Sequence, residues 1–222
     1  NIADADANSK SSHSMVSLAA LSGIGKTRVL NELERACGSV VSDKWVRKFV
    51  YVTYNSTTAL GLANPSKSSE SKSSESRFNA ETRLALRIMF SLFVHKVGWD
   101  TFVEEVNQNV RLSNVFDIIW ENHKKSGKSE SENRGLSLVL SIDEFQREDL
   151  DGLTQIVAAL TRCLCRYKSD GGPRITAVFA GLDYSKIDDA ADQSKIKTVS
   201  CCLEHFSWSD ACIVAEHLFA GK

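Results

Sequence analysis

The stretch LSLVLSIDEFQ, residues 136–146, restricts the fold of this chain more than any other feature. It is an apolar run that carries no charge until it reaches two adjacent carboxylates, Asp143 and Glu144. A continuous apolar run of this length indicates a buried strand, which is typical of a parallel sheet that helices cover on both faces.

The two adjacent acids allow two interpretations. They are either an ordinary solvated strand end, or they lie opposite a strongly positive partner, since neighbouring carboxylates repel each other. The second interpretation requires a positive motif elsewhere in the chain.

Strand-like and helix-like stretches alternate along the sequence. The strand-like runs are residues 15–20, 45–55, 136–143, 174–181 and 196–206. Helical patterns occupy residues 27–38, 80–98, about 100–107, 114–125 and 149–168. This alternation predicts an α/β fold with a mostly parallel five-stranded sheet.

The turn between the first strand and the first helix contains ALSGIGKT, residues 20–27. It matches the phosphate-binding pattern GxxxxGK[ST], except that Ala20 stands where the first glycine is expected. Gly23 and Gly25 allow the backbone to direct successive N–H groups at phosphate oxygens. The helix that begins near Lys26 points its positive dipole end at the same anion. The simpler alternative is a glycine-rich turn before a helix.

The two motifs together predict a site for a nucleoside triphosphate and Mg²⁺, in which Lys26 contacts the β- and γ-phosphates and Thr27 offers its hydroxyl to the ion. Asp143 would hold Mg²⁺ through water, and Glu144 would polarise the attacking water. Lys26 and Glu144 are thus the catalytic candidates, and Thr27 and Asp143 the metal candidates. The predicted nucleotide-binding residues are Ser22, Gly23, Ile24, Gly25, Lys26, Thr27 and Arg28. Ala20 in place of the first glycine favours a protein that binds nucleotide with little turnover.

Composition provides few further clues to function. The net charge of −1 offers no global electrostatic basis for binding nucleic acid or a membrane. None of the six cysteines forms a CxxC pair or has zinc-site spacing, so we expect reduced thiols and an intracellular protein, cytoplasmic or nuclear. No stretch approaches the roughly 18 apolar residues of a membrane span, and no signal-peptide core opens the chain.

The domain prediction is one NTPase core over residues 14–222, preceded by a disordered segment at 1–13. Two polar segments, 64–77 and 124–135, are predicted to be flexible insertions because they cannot bury enough surface to offset their ordering entropy. The chain is expected to be a fragment of a longer protein.

The chain resembles the NTPase module of Crinkler-type effector and retrotransposon-hot-spot proteins, which are similar to AAA+ and signalling-type ATPases. The stretches that carry the resemblance are LSGIGKTRVLNEL, KFVYVTYN, ETRLALRIMF and LSLVLSIDEFQ. It implies a three-layer α/β/α P-loop NTPase sandwich with strand order 5-1-4-3-2, in which RITAVFAG lies beside MVSLAA. It also implies ATP as the nucleotide. The stretch CLEHFSWSDACIVAEHL resembles the passage from the last core strand towards a helical lid, and the lid itself is expected to be absent from this fragment.

Further site residues are less specific. The strand that ends AGLDYS would carry a γ-phosphate sensor, for which Asp183 and Tyr184 are the candidates; the alternative is that both are ordinary loop residues. An arginine near the end of the preceding helix or the start of this strand could stimulate hydrolysis in trans, and the candidates by position are Arg162, Arg166 and Arg174. The simpler interpretation of each is a solvated surface residue.

Arg83 and Arg87 are spaced i, i+4 on one helix and could face phosphate or solvent, of which solvent is the preferred expectation. Trp45 and Trp208 are expected to be packing anchors.

Three functions follow from these features. The first is an ATP-binding, Mg²⁺-dependent NTPase whose hydrolysis drives a conformational or assembly change. The second is a nucleotide-binding switch or effector interaction module with little turnover. The third, a nucleic-acid-associated protein, rests on family analogy alone. The expected partners are a nucleotide and either a second copy of the chain or another protein, with no membrane.

Overall fold

Five strands and six α-helices alternate in the computed structural model, which describes residues 14–19, 26–39, 44–54, 77–94, 97–106, 109–126, 134–170, 172–182, 185–202 and 209. The strands are β1 (Ser14–Ala19), β2 (Trp45–Thr53), β3 (Gly135–Asp143), β4 (Arg174–Gly181) and β5 (Lys197–Cys202). The helices are α1 (Lys26–Ser39), α2 (Ala80–Phe93), α3 (Trp99–Glu105), α4 (Leu112–Ser126), α5 (Leu150–Asp170) and α6 (Ser185–Gln193). A short 3₁₀ turn, Phe145–Arg147, follows β3.

All five strands form one sheet of order β2-β3-β4-β1-β5, and every pairing in it is parallel. β3 pairs with β2 over its whole length, from Trp45↔Gly135 to Thr53↔Asp143, and with β4 on its other side. The predicted order, with β4 inserted beside β1, is therefore confirmed.

Both faces of the sheet are covered by helices. Successive residues of β3 point to opposite faces, as strand geometry requires. One face packs against α2, α4, α5 and α6, and the β3 residues that it buries are Leu136, Leu138, Leu140 and Ile142. The other face buries Val139 of β3 together with one side of α1, which contributes Val29, Leu30, Leu33 and Ala36. The predicted three-layer α/β/α sandwich is confirmed.

Two elements differ from the sequence prediction. α2 ends at Phe93 and not at residue 98, because Val94 adopts an extended backbone conformation and Gly98 lies at the start of α3. This break lets Trp99 pack edge-on against Phe90, with ring centroids 5.2 Å apart. Helix α6 was not predicted, since its sequence SKIDDAADQ contains no apolar run and buries just three small or medium side chains.

Several predicted segments lie partly or wholly outside the described residues. These are the N-terminal segment 1–13, nearly all of the insertion at 64–77 and residues 127–133 of the second insertion. Residues 124–126, which the sequence assigned to that second insertion, form the last turn of α4. Within the described ranges, every helix is too short or too polar to cross a lipid bilayer.

Candidate functional site

The candidate site lies where the carboxyl end of β3 meets the first turn of α1. The Thr27 hydroxyl donates a 3.0 Å hydrogen bond to Oδ2 of Asp143, although the two residues are 116 positions apart in the chain. Parallel strands present their carboxyl ends at one edge of the sheet, which is where α/β proteins bind ligands. The structure thus brings together one residue from each of the two sequence motifs.

The carboxylate of Asp143 is buried and accepts hydrogen bonds on both of its oxygens. The residue is 3% exposed. Besides Thr27, the Tyr51 hydroxyl donates to Oδ2 over 2.8 Å, and the backbone N–H of Glu144 donates to Oδ1 over 3.0 Å. A solvated strand end does not describe this residue, because a buried carboxylate needs donors of this kind to offset the loss of water.

Tyr51 is the site residue that sequence reasoning missed. It lies on β2, where its register partner on β3 is Ser141, two residues before Asp143 and on the same face of the sheet. Burial, and then the hydrogen bond to Asp143, raise the pKa of Tyr51 above the usual phenol range, so the hydroxyl remains a neutral donor. The predicted strand order placed β2 beside β3, but the register that aligns these two residues was not available from the sequence.

The predicted phosphate-binding residues are described in part. Lys26 is the first residue of α1 and is 7% exposed, which is unusual for a lysine. Thr27 and Arg28 are exposed. Four other predicted residues lie outside the described part of the chain, namely Ser22, Gly23, Ile24 and Gly25. Ala20 also lies outside it.

Glu144 adopts a left-handed backbone conformation, with φ 58° and ψ 33°. Non-glycine residues seldom occupy this region, and they cluster at functional sites when they do. The Glu144 N–H donates to the Ala180 carbonyl of β4 over 2.9 Å, which anchors the turn to the sheet. The side-chain amide of Gln146 donates to Oε2 of Glu144 over 2.5 Å. The carboxylate of Glu144 is therefore held within its own turn.

The donor set fits magnesium. A hydroxyl and a carboxylate, which Thr27 and Asp143 bring within 3.0 Å of each other, are the hard oxygen ligands that Mg²⁺ takes from proteins alongside phosphate oxygens. Among the described residues, no group of three or more His, Cys, Asp or Glu side chains is arranged to hold a metal ion.

Arg83 and Arg87 do not face solvent, so that expectation is wrong. Arg83 forms a bidentate pair with Glu148, whose side chain is 6% exposed, and its Nε–Oε1 bond is 2.9 Å long. Arg87 donates to the Thr53 carbonyl, and its guanidinium lies 4.8 Å from the ring centroids of two aromatic residues, Tyr54 and Trp99. Arg83 thus joins α2 to the segment between the 3₁₀ turn and α5, and Arg87 joins α2 to the carboxyl end of β2.

The arginines considered for stimulation in trans all have partners within the chain. Arg162 pairs with Glu81 and Arg166 with Asp117, each over 3.0 Å, and both line a cavity of about 720 Å³ among α2, α4 and α5. Arg174 begins β4, at the opposite edge of the sheet from Asp143.

Arg174 lies 4.2 Å from the ring centroid of Trp45, which agrees with a packing role for that tryptophan. Asp183, Tyr184 and Trp208 lie outside the described residues.

Comparison with known proteins gives remote structural likenesses. No protein-family model matches the chain. No curated protein sequence matches it. Among solved structures, the Aeropyrum pernix ORC2 protein in its ADPNP–ADP complexes is 17% identical, with a TM-score of 0.46, and the alignment covers 86% of this chain and 41% of that one. Drosophila ORC bound to poly(dA/dT) DNA and Cdc6 is 12% identical, with a TM-score of 0.37, and the alignment covers 97% of this chain and 29% of that one.

This chain spans less than half the length of either matched chain. The fold is defined by this chain's own strand order and by the helices on both faces of its sheet.

Proposed function

We propose that this chain binds a nucleoside triphosphate, taken from its family resemblance to be ATP, together with Mg²⁺ at the edge where α1 begins and β3 ends. The observation that carries the proposal is the 3.0 Å hydrogen bond between the Thr27 hydroxyl and the Asp143 carboxylate. It joins the metal candidates of two motifs that were identified independently in the sequence. Lys26, which is buried and precedes Thr27 in the first turn of α1, would supply the positive charge.

In the proposed mechanism each residue has one task. Lys26 binds phosphate oxygens at the amino end of α1, where the helix dipole adds to its charge. Thr27 and Asp143 would hold Mg²⁺, which when bound neutralises the negative charge that phosphoryl transfer spreads over the phosphate oxygens. Glu144 orients the attacking water and accepts its proton.

The alternative function is a nucleotide-binding switch or effector interaction module with little or no turnover. The hydrogen bond from Gln146 to Glu144 favours it, because Oε2 of the carboxylate already accepts an amide proton, which restricts its freedom to orient water. In this alternative the chain binds nucleotide and changes its contacts with a partner without fast hydrolysis.

The proposal extends to family and partners. The stretches LSGIGKTRVLNEL and LSLVLSIDEFQ support a place beside the NTPase modules of Crinkler-type and retrotransposon-hot-spot proteins. The proposed partner is a second copy of the chain or another protein, inside the cell. Nucleic acid is a partner by family analogy alone, and the net charge of −1 does not favour it.

The proposal is tested by ATP binding and phosphate release for the native chain, Lys26→Ala and Glu144→Gln. We expect Lys26→Ala to abolish binding and Glu144→Gln to retain it. Matched controls are Lys48→Ala on β2 and Glu104→Gln on α3, both at exposed positions, which should behave as the native chain.

Turnover that Glu144→Gln abolishes would establish the ATPase. Binding without turnover in every form would establish the switch. A native chain that binds no nucleotide would contradict both functions.

A further inference from the structure

Oδ2 of Asp143 accepts hydrogen bonds from two hydroxyl groups, which belong to different elements of the fold. Thr27 donates from the first turn of α1 over 3.0 Å, and Tyr51 donates from β2 over 2.8 Å. The proposed metal chemistry uses Thr27 but gives Tyr51 no task. The hydrogen bond from Tyr51 must therefore have a role other than direct coordination of the ion.

Tyr51 is tied to Asp143 through the sheet. The ladder between β2 and β3 continues past the strand ends, where the Tyr54 N–H donates to the Asp143 carbonyl over 3.1 Å. Tyr51 sits three residues before Tyr54, and its ring spans the two-residue offset to reach the carboxylate. The β2–β3 ladder thus sets the position of its hydroxyl relative to Asp143.

Thr27 is held differently. It is exposed and lies at the start of a helix, and its hydroxyl is itself a candidate ligand of Mg²⁺. A hydroxyl that coordinates an ion must direct a lone pair at that ion, which constrains the direction of its proton. Tyr51 is not a candidate ligand of the ion, so its hydrogen bond to the carboxylate can persist when Thr27 coordinates Mg²⁺.

Hydrogen-bond donors behind a metal-binding carboxylate fix its orientation, and their loss typically weakens metal binding. We propose that Tyr51 is a positioning residue for magnesium, whose hydroxyl holds the Asp143 carboxylate in the orientation that receives the ion. This inference rests on the proposed function, since it assigns a role to Asp143 as a metal-binding residue. Tyr51 acts through Asp143 and is not itself a catalytic residue.

The test is a titration of Mg²⁺ against binding of a fluorescent ATP analogue to the native chain and to Tyr51→Phe. The phenylalanine keeps the ring and removes the donor. We expect the Mg²⁺ concentration for half-maximal enhancement of binding to rise roughly 10- to 100-fold in Tyr51→Phe. Binding of the analogue in EDTA should be unchanged, because Tyr51 is not among the residues proposed to contact the nucleotide.

Tyr167→Phe is a matched control. The Tyr167 hydroxyl also donates to an aspartate, Asp117, over 2.7 Å, but it joins α5 to α4 away from the candidate site. It should leave the Mg²⁺ titration unchanged, although it removes the same kind of bond. In an Asp143→Asn background, adding Tyr51→Phe should have no further effect on the titration.

Thermal unfolding of each variant shows that it is folded, and Tyr51→Leu is the second donor-free variant if Tyr51→Phe does not fold. A Tyr51→Phe titration that matches the native one overturns the inference, while ATP binding by the native chain leaves the proposed function standing. An equal shift in Tyr167→Phe also overturns it. A native chain that binds no nucleotide removes both the inference and the function.

Discussion

The side-chain amide of Gln146 donates a 2.5 Å hydrogen bond to the carboxylate of Glu144, two residues earlier in the same turn. The other end of that amide lies against the last residue of β4, since a Cβ on Gly181 would fall 2.6 Å from Oε1 of Gln146. Gln146 is thereby held between the strand edge and the proposed water-orienting carboxylate. This hydrogen bond therefore limits how freely the carboxylate of Glu144 can move to orient a water molecule.

Gln146→Met should raise the rate of phosphate release roughly tenfold with little change in nucleotide affinity. Methionine has a similar shape but no donor, so it frees the carboxylate from a bond to a charged group worth about 1.5 kcal/mol. Phosphate release at saturating ATP measures the effect, with Gln155→Met at an exposed position of α5 as control. A lower rate would show instead that Gln146 orients Glu144 productively.

Gly181→Ala should lower the free energy of unfolding by roughly 1–3 kcal/mol, the usual cost of overpacking a core. The added methyl would lie 2.6 Å from the ring of Phe145, which is fully buried and packs edge-on against Phe179 with ring centroids 5.8 Å apart. Urea unfolding measures the loss.

Gly98→Ala is the control for this change, because its methyl would meet no atom within 4 Å. Equal losses in the two variants would contradict the steric explanation.

Glu148→Ala should lower the free energy of unfolding by roughly 3 kcal/mol, because it removes the carboxylate that pairs with the largely buried guanidinium of Arg83. The side chains are 6% and 23% exposed. Arg162→Ala breaks an ion pair in which the arginine side chain is 66% exposed, and it should cost less than about 1 kcal/mol. Chemical denaturation compares them, and a smaller loss in Glu148→Ala than in Arg162→Ala would refute the burial argument.

Stability should fall as the pH rises above about 9. Burial raises the pKa of the Cys163 thiol to about 12, and burial followed by hydrogen bonds to aspartate raises the pKa of Tyr51 and of Tyr167 above the usual phenol range. In the unfolded chain these groups lose their protons at their ordinary, lower pKa values. The unfolded state then binds fewer protons than the folded state, so alkaline pH favours unfolding.

Denaturant midpoints between pH 7 and pH 11 test this dependence. Tyr167→Phe lacks one of the three groups, and its midpoint should decline less steeply above pH 10. Midpoints that stay constant to pH 11 in the native chain would show that these groups ionise equally in both states.

Much of the fold could be predicted because its signals are local. The apolar run of β3, the helical spacing of α1 and α5, and the alternation of the two types depend on neighbouring residues in the chain. α6 escaped prediction since it buries three residues, Ile187, Ala190 and Ala191, among polar ones. The end of α2 at Phe93 was misjudged because the apolar pattern continues past the break.

In the candidate site, too, residues in local motifs could be predicted, whereas contacts between distant parts of the chain could not. Lys26, Thr27, Asp143 and Glu144 were identified from two short motifs, each of which needs little more than its own sequence. Tyr51 could not be found, because a tyrosine in a strand is ordinary until the register of β2 on β3 brings its hydroxyl to a carboxylate. The expected exposure of Arg83 was wrong because its partner, Glu148, is 65 positions away.

By itself the sequence determined the class of fold, the strand order through a family resemblance, and the residues that are proposed to bind phosphate and magnesium. Tertiary structure alone decided which side chains meet: Thr27 and Tyr51 on Asp143, and Gln146 on Glu144. The physical reason is that hydrophobic periodicity reports which face of an element is buried. A hydrogen bond between side chains depends on register and rotamer to within an ångström, and these are fixed when the layers pack together.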